Sequence, residues 1–176
     1  MKGMKRYNDA SSTAYTAVED TFDVPSGSTF KIDGTALTAS ANEINMMADN
    51  SANISVAGAV STLLSSASGT TYSFSSATEF ALTLPVAAAG LRFKFYVGAA
   101  PASASYTIVT AAGANVIQGQ ATVNGAAVAA VNEDTITFTD GAAAVGDWVE
   151  LICLDGTNWY VSGQGVAATA IVFTAT

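Results

Sequence analysis

Two pairs of neighbouring carboxylates are the residues best suited by type and spacing to carry chemistry, Glu133 with Asp134 and Asp147 with Glu150. A glycosidase needs only two acids flanking a glycosidic bond, so such pairs are the minimal catalytic set. The surrounding sequence argues against that use. Both pairs sit beside turns or on alternating strands, where solvated acids are the ordinary outcome. The chain has no histidine, which excludes a Ser-His-Asp or Cys-His arrangement and any imidazole metal ligand. The single cysteine, Cys153, gives neither an intrachain disulfide nor a zinc site. It alternates with Val149 and Leu151, the pattern of a small buried hydrophobe. The Asp-Gly turns lack the ligand density of a calcium loop. Gly163-Gln164-Gly165 joins no strand to a helix and is no phosphate loop. The sequence therefore predicts no catalytic residue, no cofactor and no metal. Trp148, Trp159 and Tyr160 could stack on sugar rings. Packing at one end of a β-sandwich is the favoured reading, because no amide or acid cluster is evident in the sequence around them.

The elements that would hold these residues are mostly strands. Residues 1–20 are polar and aperiodic, which predicts an extended arm. Phe22–Val24 and Phe30–Ile32 flank a Pro25-Ser26-Gly27-Ser28 turn and read as a hairpin ending at Asp33-Gly34. Leu37–Asp49 is the one helical segment. Ser40 and Glu43 form an S-x-x-E capping box, and Ala41, Ile44, Met47 and Ala48 then share a face. That stripe could cover the hairpin, or three copies of it could meet. Residues 51–70 read as a Ser/Ala/Gly-rich linker with one short strand. From Thr71 onward, alternation predicts about eight strands, among them Leu91–Val97, Tyr106–Thr110, Thr135–Phe138 and Ala170–Thr174. Residues 119–131 read as a long loop. Asp147–Leu154 and Trp159–Gly163 form the clearest hairpin, around Asp155-Gly156-Thr157-Asn158. The expected organisation is an arm (1–20), a small hairpin plus helix (21–50), a linker (51–70) and a β-domain (71–176). The predicted fold is all-β, an antiparallel sandwich or jelly roll.

Charge restricts the partners. Only 11% of residues are charged, against roughly a quarter in ordinary domains. Lys2, Lys5, Arg6, Lys31, Arg92 and Lys94 are the six basic residues, and the net charge is −8. Nucleic acid binding needs clustered cations, which the C-terminal body lacks. The cluster Lys2–Arg6 reads either as a solvated tail or as a contact for an acidic surface. No apolar run suggests a membrane span, and the N-terminus lacks the apolar core of a secretion signal, so synthesis in a cytoplasm without standard export is expected. A surface this poor in charge suits a chain that packs against other subunits.

Leu37–Asn45 reads LTASANEIN and resembles a segment of tailed-phage fibre and head-decoration proteins. The stretches Leu84–Phe93, Tyr106–Thr110 and Gly146–Gly163 are similar to the β-domain of phage capsid decoration (cement) proteins. The usual continuation, an aromatic and then Leu-Asp-Gly, is replaced here by Met46-Met47-Ala48-Asp49-Asn50. The resemblance implies a non-enzymatic, homotrimeric virion protein on the outer capsid surface, made in a bacterial host cytoplasm. Its partners would be copies of itself and the major capsid protein, with no nucleic acid and no membrane. On that reading Lys2, Lys5, Arg6 and Tyr7 would contact the capsid, and Ala41, Ile44 and Met47 would pack the trimer. A tail-fibre or head-fibre protein that binds a host glycan is the alternative.

Overall fold

Alternating apolar residues make strands that bury one face each, and two such sheets cover one another to form the core. The computed structural model describes residues 31–32, 35–38, 54–75 and 80–175. It divides into two units, Met1–Asn45 and Met46–Thr176. In the first, β1 (Lys31–Ile32) pairs antiparallel with β2 (Thr35–Ala36), with Asp33-Gly34 between them in sequence. Asp33-Gly34, where the expected hairpin ends, is thus followed by a strand that pairs with β1. Leu37 and Thr38, the first two residues of the expected helical segment, are not helical. The remainder of the expected helix, the 1–20 arm and residues 22–30 lie outside the described residues.

The second unit is a β-sandwich. Its strands are β3 (Ile54–Ala57), β4 (Ser61–Thr62), β5 (Thr71–Phe74), β6 (Phe80–Thr83), β7 (Arg92–Val97), β8 (Tyr106–Val109), β9 (Ile117–Val123), β10 (Ala126–Glu133), β11 (Thr135–Phe138), β12 (Trp148–Cys153), β13 (Trp159–Gly165) and β14 (Ile171–Thr174). The larger sheet has seven strands in the order β10-β9-β13-β12-β7-β5-β3, and the smaller has five in the order β14-β11-β8-β6-β4. The all-β sandwich expected from the sequence is present, but it is not antiparallel throughout. From β3 to β8 the chain alternates between the two sheets, so successive strands in each sheet run the same way: β3, β5 and β7 are parallel neighbours, as are β4, β6 and β8. β9 and β13 are also parallel. From β9 onward the other pairings are antiparallel.

Two sequence expectations are corrected by this winding. Residues 51–70 are not simply a linker: β3 and β4 lie at the edges of the two sheets. The Gly/Ala/Val-rich stretch 119–131 is not a loop but most of the β9–β10 hairpin. Its two-residue turn is Asn124-Gly125, with φ of 50° and 77°, the type I′ geometry whose twist matches paired strands. The weak hydrophobic contrast of the alanines hid the strands there, although the Asn-Gly dipeptide marks the turn.

The inner face of the smaller sheet carries two rows read from its register, Phe80–Tyr106–Phe138–Ile171 and Leu82–Ile108–Ile136–Phe173. The larger sheet answers with Phe74, Phe93, Phe95, Val149, Leu151 and Trp159, all buried. Phe74 joins the layers, with ring centroids 5.2 Å from both Phe80 and Tyr106 and 5.7 Å from Phe138. Edge-to-face and tilted pairs of this kind add about 0.5–1.5 kcal/mol each beyond the area they bury. No helix among the described residues is long and apolar enough to cross a membrane.

Candidate functional site

The side of the larger sheet that faces away from the core carries the described residues most suited to recognition. In β7 the residues Arg92, Lys94 and Tyr96 alternate with buried Phe93, Phe95 and Val97, so strand geometry places all three on the outer face. In β12 the same rule puts Trp148, Glu150 and Ile152 outward, opposite Val149, Leu151 and Cys153. The register sets Trp148 beside Tyr96, Glu150 beside Lys94 and Ile152 beside Arg92. On the next strands the rows continue through Gln164, Ser162 and Tyr160, then Thr122, Gln120 and Gln118.

Electrostatic contacts link the residues of this surface. Arg92 reaches diagonally, its Nε donating to Glu150 Oε1 at 2.6 Å, with the Arg92 side chain 61% exposed and that of Glu150 24%. The Lys94 ammonium turns instead to the aromatics, 4.6 Å from the Trp148 ring centroid and 5.0 Å from that of Tyr96. Both distances lie within cation–π range. Tyr96 and Trp148 tilt against one another, centroids 6.3 Å apart. A cleft of about 180 Å³ opens beside this group, lined by Gly69, Thr70, Thr71, Arg92 and Lys94.

The sequence-derived acids do not converge. Asp147 is buried, and its two oxygens accept the backbone N–H groups of Ala144 and Val166, each at 2.9 Å. It ties the loop before β12 to the segment after β13, while Glu150 lies on the outer face with Arg92. Asp134 is buried and accepts the Thr135 hydroxyl; Glu133 ends β10. Asp155 is a turn lock. Oδ1 accepts from the backbone N–H of Thr157 and Asn158, and Oδ2 from the Asn158 amide and the Tyr160 hydroxyl. The Asn158 side chain, then these backbone and hydroxyl donors, hold the Asp155 carboxyl well below the usual carboxylate range. The same bond to Asp155, followed by desolvation and the carboxylate's charge, pushes the Tyr160 phenol upward. Among the described residues no group of three or more acids and cysteines could hold a metal ion.

The aromatics part company. Trp159 packs in the core, its ring centroid 5.8 Å from Phe93, as the packing expectation requires. Trp148 does not: it is half-buried on the outer face beside a cation and an acid. The expectation that both tryptophans pack in the sandwich is therefore corrected for Trp148. The alternation of Arg92, Lys94 and Tyr96 is visible in the sequence, but their register against Trp148 and Glu150 is not. Cys153 is fully buried, as its alternation predicts. Lys2, Lys5, Arg6 and Tyr7, and Ala41, Ile44 and Met47, lie outside the described residues. Compared with protein-family models, curated proteins and solved structures, the chain matches none of them.

Proposed function

We propose that this chain is a non-enzymatic structural protein of a tailed-phage particle, a decoration or cement protein that binds the outer surface of the head and stabilises it. The observation that carries this reading is the LTASANEIN segment at residues 37–45 standing ahead of a β-sandwich very poor in charge. The employment of Asp147, Asp155 and Glu150 in turns, loop ties and an ion pair is in keeping with it. On this reading the chain assembles as a homotrimer, its partner is the major capsid protein, and Lys2, Lys5, Arg6 and Tyr7 meet acidic groups of the shell.

The test is reconstitution. The purified full chain, mixed with capsids that lack it, should co-sediment with them and raise the temperature at which they release DNA. Deleting residues 2–20 should abolish co-sedimentation. Capsids that neither bind the chain nor gain heat resistance would remove the head assignment. A second reading, a fibre protein that binds host glycan, is favoured by one specific feature, the cation–aromatic face around Trp148.

A further inference from the structure

We infer that the outer face of the larger sheet, centred on Arg92, Lys94, Tyr96 and Trp148, is a binding site for an acidic saccharide. This does not depend on where in a particle the chain resides.

Charge placement is the first ground. Arg92 and Lys94 are the only Lys or Arg residues between position 32 and the C-terminus. They stand two positions apart on one strand, on one face, and line the same cleft. A uniform scatter of cations would serve solubility. Two together, set against the single Glu150 carboxylate that pairs with Arg92, leave one net positive charge on an otherwise acidic body, a local attractor for an anion.

The second ground is what these cations leave unused. Glu150 engages Nε of Arg92, and among the described residues the terminal guanidinium nitrogens bond to nothing. Because the Arg92 side chain is 61% exposed, the donors that Glu150 does not use stay accessible to an incoming carboxylate or sulfate. Lys94 has no carboxylate within ion-pair distance among the described residues; its ammonium is positioned by the Trp148 and Tyr96 rings.

The third ground selects a saccharide over a simple anion. The Lys94 ammonium lies over both rings, so a pyranose would meet half-buried Tyr96 and Trp148 at the aromatic surface it leaves uncovered, and Gln164, Thr122, Ser162 and Gln120 continue the same two rows. Strands about 4.8 Å apart place β7 and β9 roughly 14 Å from one another, so the platform accepts an oligosaccharide lying across the strands. Aromatic surface flanked by a few placed polar groups is how such ligands are oriented. The acidic group would sit at the cleft beside Arg92 and Lys94, and the neighbouring sugar beside the Lys94-capped aromatic pair.

The experiment is isothermal titration of the full chain with trigalacturonic acid and sialyllactose, with a sulfated disaccharide, neutral maltotriose and triglutamate as comparators. At least one acidic saccharide should bind, more weakly as salt rises, while maltotriose and triglutamate bind less well. Arg92→Gln should weaken binding about tenfold, the scale of one charge-assisted hydrogen bond, and Trp148→Ala should abolish it. Near-ultraviolet circular dichroism from buried Trp159 reports whether each variant is folded. If Trp148→Ala is not folded, the exposed Arg92→Gln decides alone. Binding confined to the sulfated disaccharide would retain the site and make sulfate its anion. No binding of any acidic saccharide at millimolar concentration, equal binding of maltotriose or triglutamate, or indifference to Arg92→Gln would overturn the inference.

Discussion

The sandwich is built from two halves that solve the same packing problem differently. In Ile54–Val109 the chain crosses between sheets after each strand, so Ile54 lies beside Thr71 and Thr71 beside Lys94, with a strand of the opposite sheet between them in sequence. In Ile117–Thr174 the chain closes two hairpins, β9–β10 and β12–β13, whose turns set their own register. The first half has no local pairing to fall back on and holds only when both sheets are in place. The second sets two of its pairings in short turns and closes β9–β13 and β11–β14 at longer range. The halves meet at two antiparallel seams, β7–β12 and β8–β11. The cation–aromatic face lies on the first seam: Arg92, Lys94 and Tyr96 come from the wound half, Trp148 and Glu150 from the hairpin half.

This contrast can be broken at its strongest point. Phe74 is fully buried in the wound half and its ring meets rings from both sheets. Phe74→Ala should cost about 3–5 kcal/mol, read by urea denaturation, and should unfold the wound half and the hairpins in one transition. Next comes Gly119, in the parallel β9–β13 pairing, where φ is +125° and a Cβ would fall 2.3 Å from the Val161 carbonyl oxygen. Gly119→Ala combines a steric clash with backbone strain and should cost about 3 kcal/mol; amide exchange should accelerate first in β9 and β10. Gly125→Ala tests the local turn alone. Its φ is +77° with open space around a new Cβ, so only backbone strain applies, about 1–2 kcal/mol. Loss confined to the β9–β10 hairpin would sharpen the distinction between the halves; loss spread evenly through the sandwich would blur it.

The smallest effect concerns pH at the other turn. Asp155 has its folded-state pKa below that of the unfolded chain. It therefore contributes stability that is complete above about pH 4 and is lost only as the pH falls toward the folded value. Tyr160 has its folded value raised, so its contribution is complete below about pH 10 and is lost as the pH rises through the folded value. Asp155→Asn should bring the Tyr160 phenol back toward its ordinary value, measured by ultraviolet titration, and should flatten the acid limb of the stability curve. An unmoved phenol would show that the turn lock is not what holds it.

The same division accounts for part of what the sequence makes legible. The hairpin around Asp155 was readable because its turn residues and flanking alternation are contiguous, and Phe93, Phe95 and Leu151 could be placed in the core from period-two spacing. The parallel neighbours of β3 to β8 were not, because nothing local to Thr71 names Lys94 as its partner; the opposite sheet decides. β9 and β10 were missed because Ala and Gly supply little hydrophobic contrast. The site was half visible. Arg92, Lys94 and Tyr96 announce a polar strand face, but only the seam register makes them neighbours of Trp148 and Glu150. Asp147 and Asp155 could be shortlisted as acids, yet their commitment to backbone N–H groups is a tertiary fact.

The central claim, that this is a structural protein displayed on a phage head, is tested most directly by electron microscopy of purified virions labelled with an antibody against residues 54–175. The account predicts label spread over the head at regular lattice positions and in many copies. Label restricted to the tail tip, or particles that carry none of the chain, would contradict it.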